Sequence, residues 1–518
     1  MVKLDGIILP IDTDFNNLKT AVSQSVNRAD LIASVTLFRK SVDARKKGKP
    51  HFCCSFLLDV TDEKTFLNEN TNAKVYTDSP YVFRKSAKKP EHPPVVVGFG
   101  PAGMFAALTL AYAGLNPIVI ERGTDVDTRT NDVMAFFNGG KLCENSNVQF
   151  GEGGAGAFSD GKLNTGIKDK RVRTVLKTFV EFGAHSDILY EAKPHIGTDV
   201  LRVIIKNIRN EIIKLGGQVL FNTCLEDIII NSGKVVGIIA SGKDIKTENL
   251  FLCIGHSARD TFMMIRDAGF NMCRKPFAIG VRIEHLQKDI NYALYGKCAN
   301  HHNLGAADYK LAVHLKSGRG VYTFCMCPGG EVVNASSENG ALVTNGMSYK
   351  ARSGVNANSA LLVGVAPEDI IGDDVLGGVN FQREIEQRAY KACGSKVPVC
   401  SVGYFLGNTD NKIGKVLPSV KPDYELYDIG KLFPRFISDS LKNGITEMNK
   451  KISCFADSQA MLSAPETRSS SPVRILRNDS MQSITFGGVY PCGEGAGYAG
   501  GIVSAAVDGI KAAEMIIK

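Results

Sequence analysis

The chain has 518 residues, more than one hydrophobic core usually accommodates, so we expect two or three compact units. Its composition, 44% hydrophobic and 22% charged, is that of a globular protein, and no stretch approaches the roughly 18 consecutive apolar residues that a membrane helix requires. The formal net charge of +8 is small for this length, so it gives weak support to nucleic-acid binding and accords better with solubility and attraction for anionic cofactors.

Residues 1–92 are predicted to form a small α+β domain of ferredoxin-like type, followed by a linker. Apolar and amphipathic stretches suggest strands at 7–11, 32–38 and 52–60, with a helix at 15–26. The first residues, MVKLDGIILPIDTDF, lack the basic and apolar regions of a secretory signal, so we expect a cytoplasmic protein. The basic stretch 39–49 fits a solvated hairpin whose lysines protect a strand edge; an RNA-binding surface is the alternative.

The segment 85–94, KSAKKPEHPP, is charged and rich in proline, so it predicts a linker. After it, alternating strand-like and helix-like stretches predict the first part of a nucleotide-binding α/β domain at 93–270. Short strands, frequent Gly and Asn and few long helical periods suggest an inserted β-rich substrate domain at 271–452. The α/β pattern returns at 453–518 and completes the first domain.

The strand-like VVV at 95–97 leads through GFGPAG into the helix-forming MFAALTLAYAG. This is the G-x-G-x-x-G pattern between a strand and a helix, the context in which it binds a dinucleotide. The first glycine allows a tight turn, the second lets the backbone approach a pyrophosphate, and the third lets the helix pack on the strand. The next strand, 117–120, ends in an acidic residue near the spacing at which a carboxylate binds ribose hydroxyls. The residues expected at the cofactor are Gly98, Gly100, Pro101, Ala102, Gly103, Glu121 and Arg122.

The C-terminal segment 487–502, GGVYPCGEGAGYAGGI, leads into an alanine-rich helix predicted at 503–517. Glu494, beside Gly493, is expected to accept hydrogen bonds from the ribityl hydroxyls of a flavin. The amides of Gly501 and Ile502, together with the helix dipole, are expected to stabilise negative charge on the reduced ring. A glycine-rich helix entry without a ligand is the alternative. The two glycine-rich motifs together predict FAD as the cofactor.

The segments VVVGFGPAGMFAAL, IVIERG, LFLCIGHSARD and GVYPCGEGAGYAGGIVSAAVDGI resemble the glutathione-reductase-type FAD fold, a Rossmann-like α/β architecture. NVQFGEGGAGAFSDGKLNTG, VYTFCMCPGGEVVNASSENGALVTNGMSY and APETRSSSPVRILR resemble a poorly characterised family of FAD-dependent proteins of NAD(FAD)-utilising dehydrogenase type, over nearly the whole chain. The resemblance implies that the Leu225 backbone contacts the adenine and that Ile254 and Gly255 line the nucleotide crevice. Glu494 departs from the aspartate that is commoner in the fold, and its longer side chain would shift the ribityl contact or bring in a water.

The segment 150–162, FGEGGAGAFSDGK, contains five glycines and three charged residues, a composition that fits backbone lying against a flat ring. We expect Gly153, Gly154 and Ala155 to face the flavin, with Asp160 and Lys162 at its edge, where a cation favours the reduced form. The alternative for Lys162 is a solvated loop lysine.

The 13 cysteines include no C-x-x-C pair, which favours reduced thiols over a disulfide framework or zinc site, so no metal site is predicted. In C-M-C at 325–327 a strand would point both side chains to one face, and buried structural thiols are the main interpretation. In the alternative, Cys327 lies beside the flavin as a proton donor or substrate contact.

Two further side chains are candidates for the substrate site. Arg468, in PETRSSSP, would clamp a substrate carboxylate or pair with Glu466 or Asp160. Of the histidines, which show no triad or metal spacing, His256 is expected to face the crevice.

These features predict an FAD-dependent oxidoreductase that transfers hydride between flavin and a small organic substrate, in a pocket between the FAD sheet and the insert. No second strand-linked G-x-G-x-x-G occurs, which argues against a dedicated nicotinamide domain and leaves NAD(P)H as a transient electron donor. A flavin monooxygenase is one alternative, and a flavin-bearing RNA-modifying or RNA-binding protein is another. The expected partner is a small-molecule substrate, without membrane or nucleic acid.

Overall fold

The computed structural model describes residues 1–46 and 48–518, so Lys47, in the basic stretch singled out above, lies outside the described residues. The N-terminal unit comprises β1 (Val2–Leu9), α1 (Leu18–Ser23), β2 (Ile32–Asp43), β3 (His51–Val60), α2 (Glu63–Glu69) and β4 (Ala73–Val75). Its strands form an antiparallel sheet of order β2-β3-β1-β4. The sequence analysis missed α2 and β4, which complete a β-α-β-β-α-β series.

The α/β part that follows contains twelve α-helices and β-strands. They are β5 (Val95–Val97), α3 (Pro101–Tyr112), β6 (Ile118–Ile120), α4 (Val126–Phe137), α5 (Arg171–Glu181), α6 (Thr198–Lys214), β7 (Gln218–Leu220), β8 (Leu225–Asn231), β9 (Lys234–Ala240), β10 (Lys243–Lys246), β11 (Leu250–Leu252) and α7 (Arg259–Asp267).

The remainder of the chain is richer in strands. Its elements are β12 (Met272–Arg274), β13 (Phe277–Leu286), α8 (Gln287–Tyr295), β14 (Ala312–His314), β15 (Gly320–Cys327), β16 (Glu331–Asn334), β17 (Thr344–Met347), β18 (Asn356–Val365), α9 (Gly377–Cys393), β19 (Val397–Ser401), α10 (Val402–Phe405), β20 (Tyr424–Leu426), α11 (Arg435–Asn449), β21 (Met461–Glu466), β22 (Val473–Ile475), β23 (Val489–Pro491) and α12 (Ile502–Glu514).

Five short parallel strands, in the order β23-β11-β5-β6-β7, form what we call the nucleotide sheet. Side chains alternate between its faces, so Val96 packs under α3 and α12 while Val95 and Val97 pack against the small antiparallel sheet β8–β10. Helix α3 is apolar on all sides because α6 and α12 cover it. The structure is thus a mixed α/β fold with parallel and antiparallel sheets, as the sequence predicts.

A seven-stranded sheet of order β14-β15-β18-β13-β21-β19-β20, here the large sheet, forms the insert. Every residue of β13 is buried, because the strand is central. The structure differs from the sequence analysis in two respects. The insert contains two long helices, α9 and α11, and β21 pairs with β13 and β19, so the strand at 461–466 lies in the large sheet and not in the C-terminal part expected to begin at 453.

The N-terminal unit contacts both other parts. The backbone of Lys40, on β2, exchanges hydrogen bonds with Tyr190 and Ala192, and its ammonium pairs with Glu191 at 3.2 Å. Asn303 donates to the Ile11 carbonyl at 2.9 Å. Across the described ranges, no helix combines the length and the apolar character that crossing a membrane demands.

Candidate functional site

A cavity of about 470 Å³ lies where the nucleotide sheet meets the large sheet. One wall is formed by the turns that follow β5, β6 and β11, at the carboxyl ends of parallel strands, where ligands bind in open α/β folds. The opposite wall is formed by β15 and by the end of β21. The volume falls within the range of roughly 300–1,000 Å³ that is usual for cofactor and substrate pockets.

The turn after β5 depends on its glycines for different reasons. Gly98 has φ of +91°, and a Cβ there would lie 2.5 Å from the Cys253 carbonyl oxygen. A Cβ on Gly103 would clash with the Gly98 carbonyl, so Gly103 permits close packing of α3 and does not line the cavity. At Gly100, by contrast, the nearest atom to a Cβ is the Gly154 Cα at 3.7 Å. The space in front of Gly100, at the N-terminus of α3, is therefore open to a ligand.

Glu121 ties three backbone segments together at the end of β6. Its carboxylate accepts hydrogen bonds from the amides of Phe99 at 2.9 Å and of Gly123 and Gly151 at 3.0 Å. Since a carboxylate offers about four acceptor positions, one remains for a ligand hydroxyl. The adjacent Arg122 pairs with Asp260 at 2.9 Å and lies over the Phe150 ring, 4.4 Å from its centroid.

Arg129, on α4, holds the glycine-rich loop in place. Its guanidinium donates to five carbonyl oxygens, those of Asn147, Val148, Gly151, Glu152 and Gly154, at 2.7–3.2 Å. The side chain is fully buried, and burial lowers its pKa to about 9. The loop then presents Gly154, Ala155 and Gly156 to the cavity, while Gly153 packs on Ile205. Sequence reasoning missed Arg129.

Glu494 lies in the cavity wall with its carboxyl unmatched. Within residues 1–46 and 48–518 no donor lies within hydrogen-bonding distance of this group, and burial raises its pKa from the ordinary 4.5 to about 8, although the charge of Lys275 acts in the opposite direction. A desolvated carboxyl without donors fits a place for ligand hydroxyls. The neighbouring Gly493 does not line the cavity, because its amide donates to Asp508 at 2.8 Å.

We expect the FAD-free protein to lose stability as the pH rises from about 4.5 to about 8, because the unfolded chain releases the Glu494 proton over this range while the folded chain retains it. Glu494→Gln has no proton to release, so this part of the pH dependence should disappear. Thermal unfolding of both FAD-free proteins across the range is the measurement. Glu425→Gln, at an exposed carboxyl on β20, is the control; equal pH dependence in wild type and Glu494→Gln would contradict the assignment.

Lys162 and Asp160 lie at different depths from the cavity. Lys162 lines the cavity, and its ammonium bonds to the Asp160 carboxylate at 2.7 Å and to the Met326 carbonyl. Asp160 is fully buried behind it, where it also pairs with Arg352 and accepts from the Ser348 hydroxyl. These cations hold the pKa of Asp160 below its usual range despite burial, which acts to raise it. The structure therefore places Lys162 at the cavity and Asp160 as its anchor, away from the cavity.

Cys327 does not line the cavity, so the alternative that placed it beside the flavin requires correction, whereas the main interpretation was a buried thiol. A β-bulge interrupts the pairing of β15 with β18 between Phe324 and Cys327, and Cys325 has φ of +44°. This bulge breaks the alternation that would have pointed both thiols to one face. Cys325 lines the cavity, and Cys327 is fully buried behind it with its Sγ 3.3 Å from the Cys325 carbonyl oxygen.

Arg468 lines the cavity but is committed to a buried ion-pair network. Its guanidinium forms two hydrogen bonds with Glu386, at 2.7 and 3.0 Å, and donates to Ser337. Arg259 binds the same carboxylate with two bonds of 2.8 Å, and these two cations hold the pKa of Glu386 far below its usual range. The partner of Arg468 is therefore Glu386, on α9. The sequence analysis had proposed Glu466 or Asp160 instead.

Two titratable groups complete the cavity wall. Burial and the charges of Arg468 and Arg259 lower the pKa of His256 to about 3, so its imidazole is neutral. Burial raises the pKa of Glu466 to about 7, although Arg282 lies 3.0 Å away and opposes the shift. Glu466 had appeared in the sequence analysis only as a partner for Arg468, yet its tuned carboxyl can exchange a proton near neutral pH.

The arrangement fits FAD, which needs room for a pyrophosphate, an acceptor for ribose and a partner for the ribityl hydroxyls. Open space at Gly100, the remaining acceptor position of Glu121 and the unmatched carboxyl of Glu494 supply these. The other predicted cofactor residues that line the cavity are Gly98, Pro101, Ala102, Arg122, Gly154, Ala155, Leu225, Ile254, Gly255, Gly501 and Ile502. The described ranges contain no group of three or more metal-ligating side chains.

The glycine-rich entry to α12 differs in one detail from expectation. The Gly501 amide donates to the Ser504 hydroxyl at 3.1 Å, so the residue caps its own helix. Ile502 follows it at the cavity wall, where the first turn of α12 presents the positive end of the helix dipole.

Two solved structures illustrate the distant likenesses of this chain to known structures. Glycine oxidase from Bacillus cereus is 10% identical, with a TM-score of 0.33, covering 82% of this chain and 95% of the oxidase. Glycerol-3-phosphate dehydrogenase from Bacillus halodurans, complexed with FAD, is 12% identical, with a TM-score of 0.34, covering 83% of this chain and 65% of the dehydrogenase. At these identities and TM-scores, the two likenesses do not identify the reaction of this protein.

Comparison with sequence families is more informative. Residues 276–469, which contain the large sheet, match the family described as FAD-dependent protein, C-terminal domain-like. An uncharacterised protein of Clostridium beijerinckii is 48% identical over 525 aligned positions, covering 100% of this chain and 98% of the relative. The chain therefore belongs to the same family as this clostridial protein, a family of FAD-dependent proteins, and FAD is its cofactor.

Proposed function

We propose that the protein is an oxidoreductase in which hydride passes between FAD and a small organic substrate bound against the large sheet. One observation carries the proposal: a single cavity is lined both by the nucleotide-binding turns and by β15 and β21. Bound FAD supplies the hydride donor or acceptor. The chain then has to orient the substrate, exclude water and handle a proton.

Specific residues suit these tasks. Lys162, held by Asp160, and the first turn of α12 place positive charge at the cavity, which stabilises negative charge gained on reduction. Glu466 is the group suited to hold or release the substrate proton, since its pKa of about 7 matches that task at neutral pH. The neutral imidazole of His256 offers a hydrogen bond without charge.

The proposal is tested by anaerobic reduction of the holoprotein with NADH, NADPH and candidate substrates, followed by reoxidation with candidate acceptors. Bleaching of the flavin absorbance by an organic donor, and its return with an organic acceptor, would support a dehydrogenase or reductase. Incorporation of labelled oxygen from O2 into a product would instead identify a monooxygenase. Reduction by a nicotinamide without a saturable complex would agree with transient docking of NAD(P)H.

Lys162→Met is expected to lower the midpoint potential of the bound FAD while leaving cofactor affinity nearly unchanged. A cation worth about 1.4 kcal/mol to the reduced state corresponds to about 30 mV for a two-electron couple. Dye-equilibration titration measures the shift. Lys193→Met is a matched control, because Lys193 also lines the cavity but pairs with Asp308 and is 58% exposed, so water screens its charge. Equal potentials in wild type and Lys162→Met would return Lys162 to a structural role.

A further inference from the structure

The C-M-C segment of β15 is unexplained by the proposed hydride transfer, which uses no thiol. In a regular strand, side chains two residues apart lie side by side on one face. Here the bulge between Phe324 and Cys327 and the positive φ of Cys325 break this regular pattern, and the Cys327 Sγ lies 3.3 Å from the Cys325 carbonyl oxygen. Cys325 lines the cavity, and Cys327 is fully buried behind it. An accessible attacking thiol with a buried partner is the arrangement that a reversible disulfide needs.

The surroundings of this pair are cationic. The Lys162 ammonium bonds to the carbonyl of Met326, the residue between the two cysteines. Arg282, fully buried on β13, donates to the Cys325 carbonyl at 3.0 Å and lies 3.9 Å from the Cys327 Sγ. Cations close to the two cysteines favour ionisation of the pair, and a thiolate is the form that attacks a disulfide or gives up electrons.

Titration behaviour agrees with this geometry. The hydrogen bond from Cys327, with the charges of Lys162 and Arg282, lowers the pKa of Cys325 well below its ordinary value, although burial opposes the shift. The pKa of Cys327 rises, because its proton is shared with Cys325 and because it is buried. These opposite shifts favour a state of the pair that holds one proton, with Cys325 as the thiolate and Cys327 as the thiol.

We propose that Cys325 and Cys327 form a redox-active dithiol that exchanges two electrons with the FAD bound in the same cavity. In the oxidising direction the Cys327 S–H bond breaks and an Sγ–Sγ bond forms. The two electrons and the proton from Cys327 pass to oxidised FAD, which leaves a disulfide and FAD reduced by two electrons and one proton. The reverse reaction regenerates the Cys325 thiolate and the Cys327 thiol. The proposal deepens the proposed function, on which it rests, by assigning a thiol–disulfide partner to the flavin.

Peptide mapping tests the disulfide directly. Trypsin is expected to release residues 320–350, a peptide that contains Cys325 and Cys327 and no other cysteine. Holoprotein oxidised by ferricyanide, then denatured and alkylated without reductant, should yield this peptide unalkylated and lighter by about two hydrogens, because forming the disulfide is a two-electron oxidation. After prior reduction both thiols should be alkylated. Full alkylation of the peptide from the oxidised protein would overturn the proposal.

Anaerobic titration with dithionite counts the electrons. The oxidised wild-type holoprotein should take up about four electrons per FAD, two for each of two couples, and Cys325→Ser or Cys327→Ala about two. Two variants are used because Cys327 is fully buried and its replacement can impair folding, whereas Cys325 borders the cavity. Cys143→Ser removes an exposed thiol and should still take up about four.

The outcomes separate the two proposals. Wild-type uptake of about two electrons with a fully reducible FAD would overturn the dithiol but leave the hydride-transfer function standing. If no organic donor reduces the FAD but the 320–350 peptide carries a disulfide, the hydride-transfer function is overturned and the dithiol stands. A second close pair, Cys253 and Cys492, borders the cavity near Gly98, and the peptide map distinguishes it because these residues fall in other tryptic peptides.

Discussion

Gly100→Val is expected to give a folded protein that retains almost no FAD. The protein itself leaves room for the first added carbon, whose nearest neighbour would be the Gly154 Cα at 3.7 Å. The branches of valine would then extend into the open space at the N-terminus of α3, where the pyrophosphate must approach the backbone amides. The ratio of flavin to protein absorbance, measured after purification and after incubation with excess FAD, gives the result. Full occupancy would refute the placement of the pyrophosphate.

A matched variant separates loss of cofactor from loss of fold. Gly103→Ala adds a single carbon that collides with the Gly98 carbonyl, so it should lower the thermal stability of the FAD-free protein. Gly100→Val should leave the stability of the FAD-free protein close to that of wild type. If both variants unfold alike, the two glycines share a structural role.

Arg129→Met is expected to destabilise the protein by about 3 kcal/mol or more and to weaken FAD binding strongly. The methionine fills part of the buried volume but leaves five carbonyl oxygens without their donor, and an unsatisfied buried group costs roughly 1–3 kcal/mol. The loop that presents Gly154 and Ala155 to the cavity should then lose its fixed conformation. Urea unfolding of the FAD-free protein and fluorescence titration with FAD measure the two effects.

The control for this prediction is Arg202→Met. The guanidinium of Arg202 lies over the same aromatic ring as that of Arg129, Phe158, at 4.5 Å against 4.8 Å from its centroid. Arg202 donates to none of the loop carbonyls, and it forms one long bond with the Thr198 hydroxyl. Its replacement should therefore cost little FAD affinity. Similar losses in the two variants would show that the ring contact, and not the carbonyl network, fixes the loop.

The glycine-rich turn after β5 could be predicted from local patterns, because its geometric requirements are local. Gly98 and Gly103 are needed by the immediate geometry of a strand, a turn and a helix, and Glu121 follows from the next strand. The boundary near 453 was harder, because β21 belongs to the large sheet only through its pairing with β13, nearly two hundred positions earlier. Helices α9 and α11 carry the apolar stripe typical of an amphipathic helix, and the sequence analysis overlooked it among the surrounding glycines and polar residues.

The side chains of the site were predictable only in part, for a related reason. An arginine on a polar helix such as α4 is usually exposed, and the partners of Arg129 lie 18 to 25 residues further along the chain. The carboxylate that binds Arg468 is 82 positions away on α9. Cys325 faces the cavity because of a bulge that depends on pairing with β18, so strand periodicity, which predicted both thiols on one face, could not show which of them lines the cavity.

The nucleotide sheet is assembled from distant parts of the chain, and this determines when the cofactor site can form during translation. Strand β23 and helix α12 complete the sheet and the cavity wall, yet they lie beyond residue 488, after the whole insert. Helix α12 packs so closely on α3 that a Cβ on Gly509 would collide with the Ala102 carbonyl. During translation the chain must therefore emerge from the ribosome as far as α12 before a nucleotide pocket exists. A nascent chain stalled within the insert should bind no flavin, and a premature stop codon before β23, even at residue 488, should yield colourless protein.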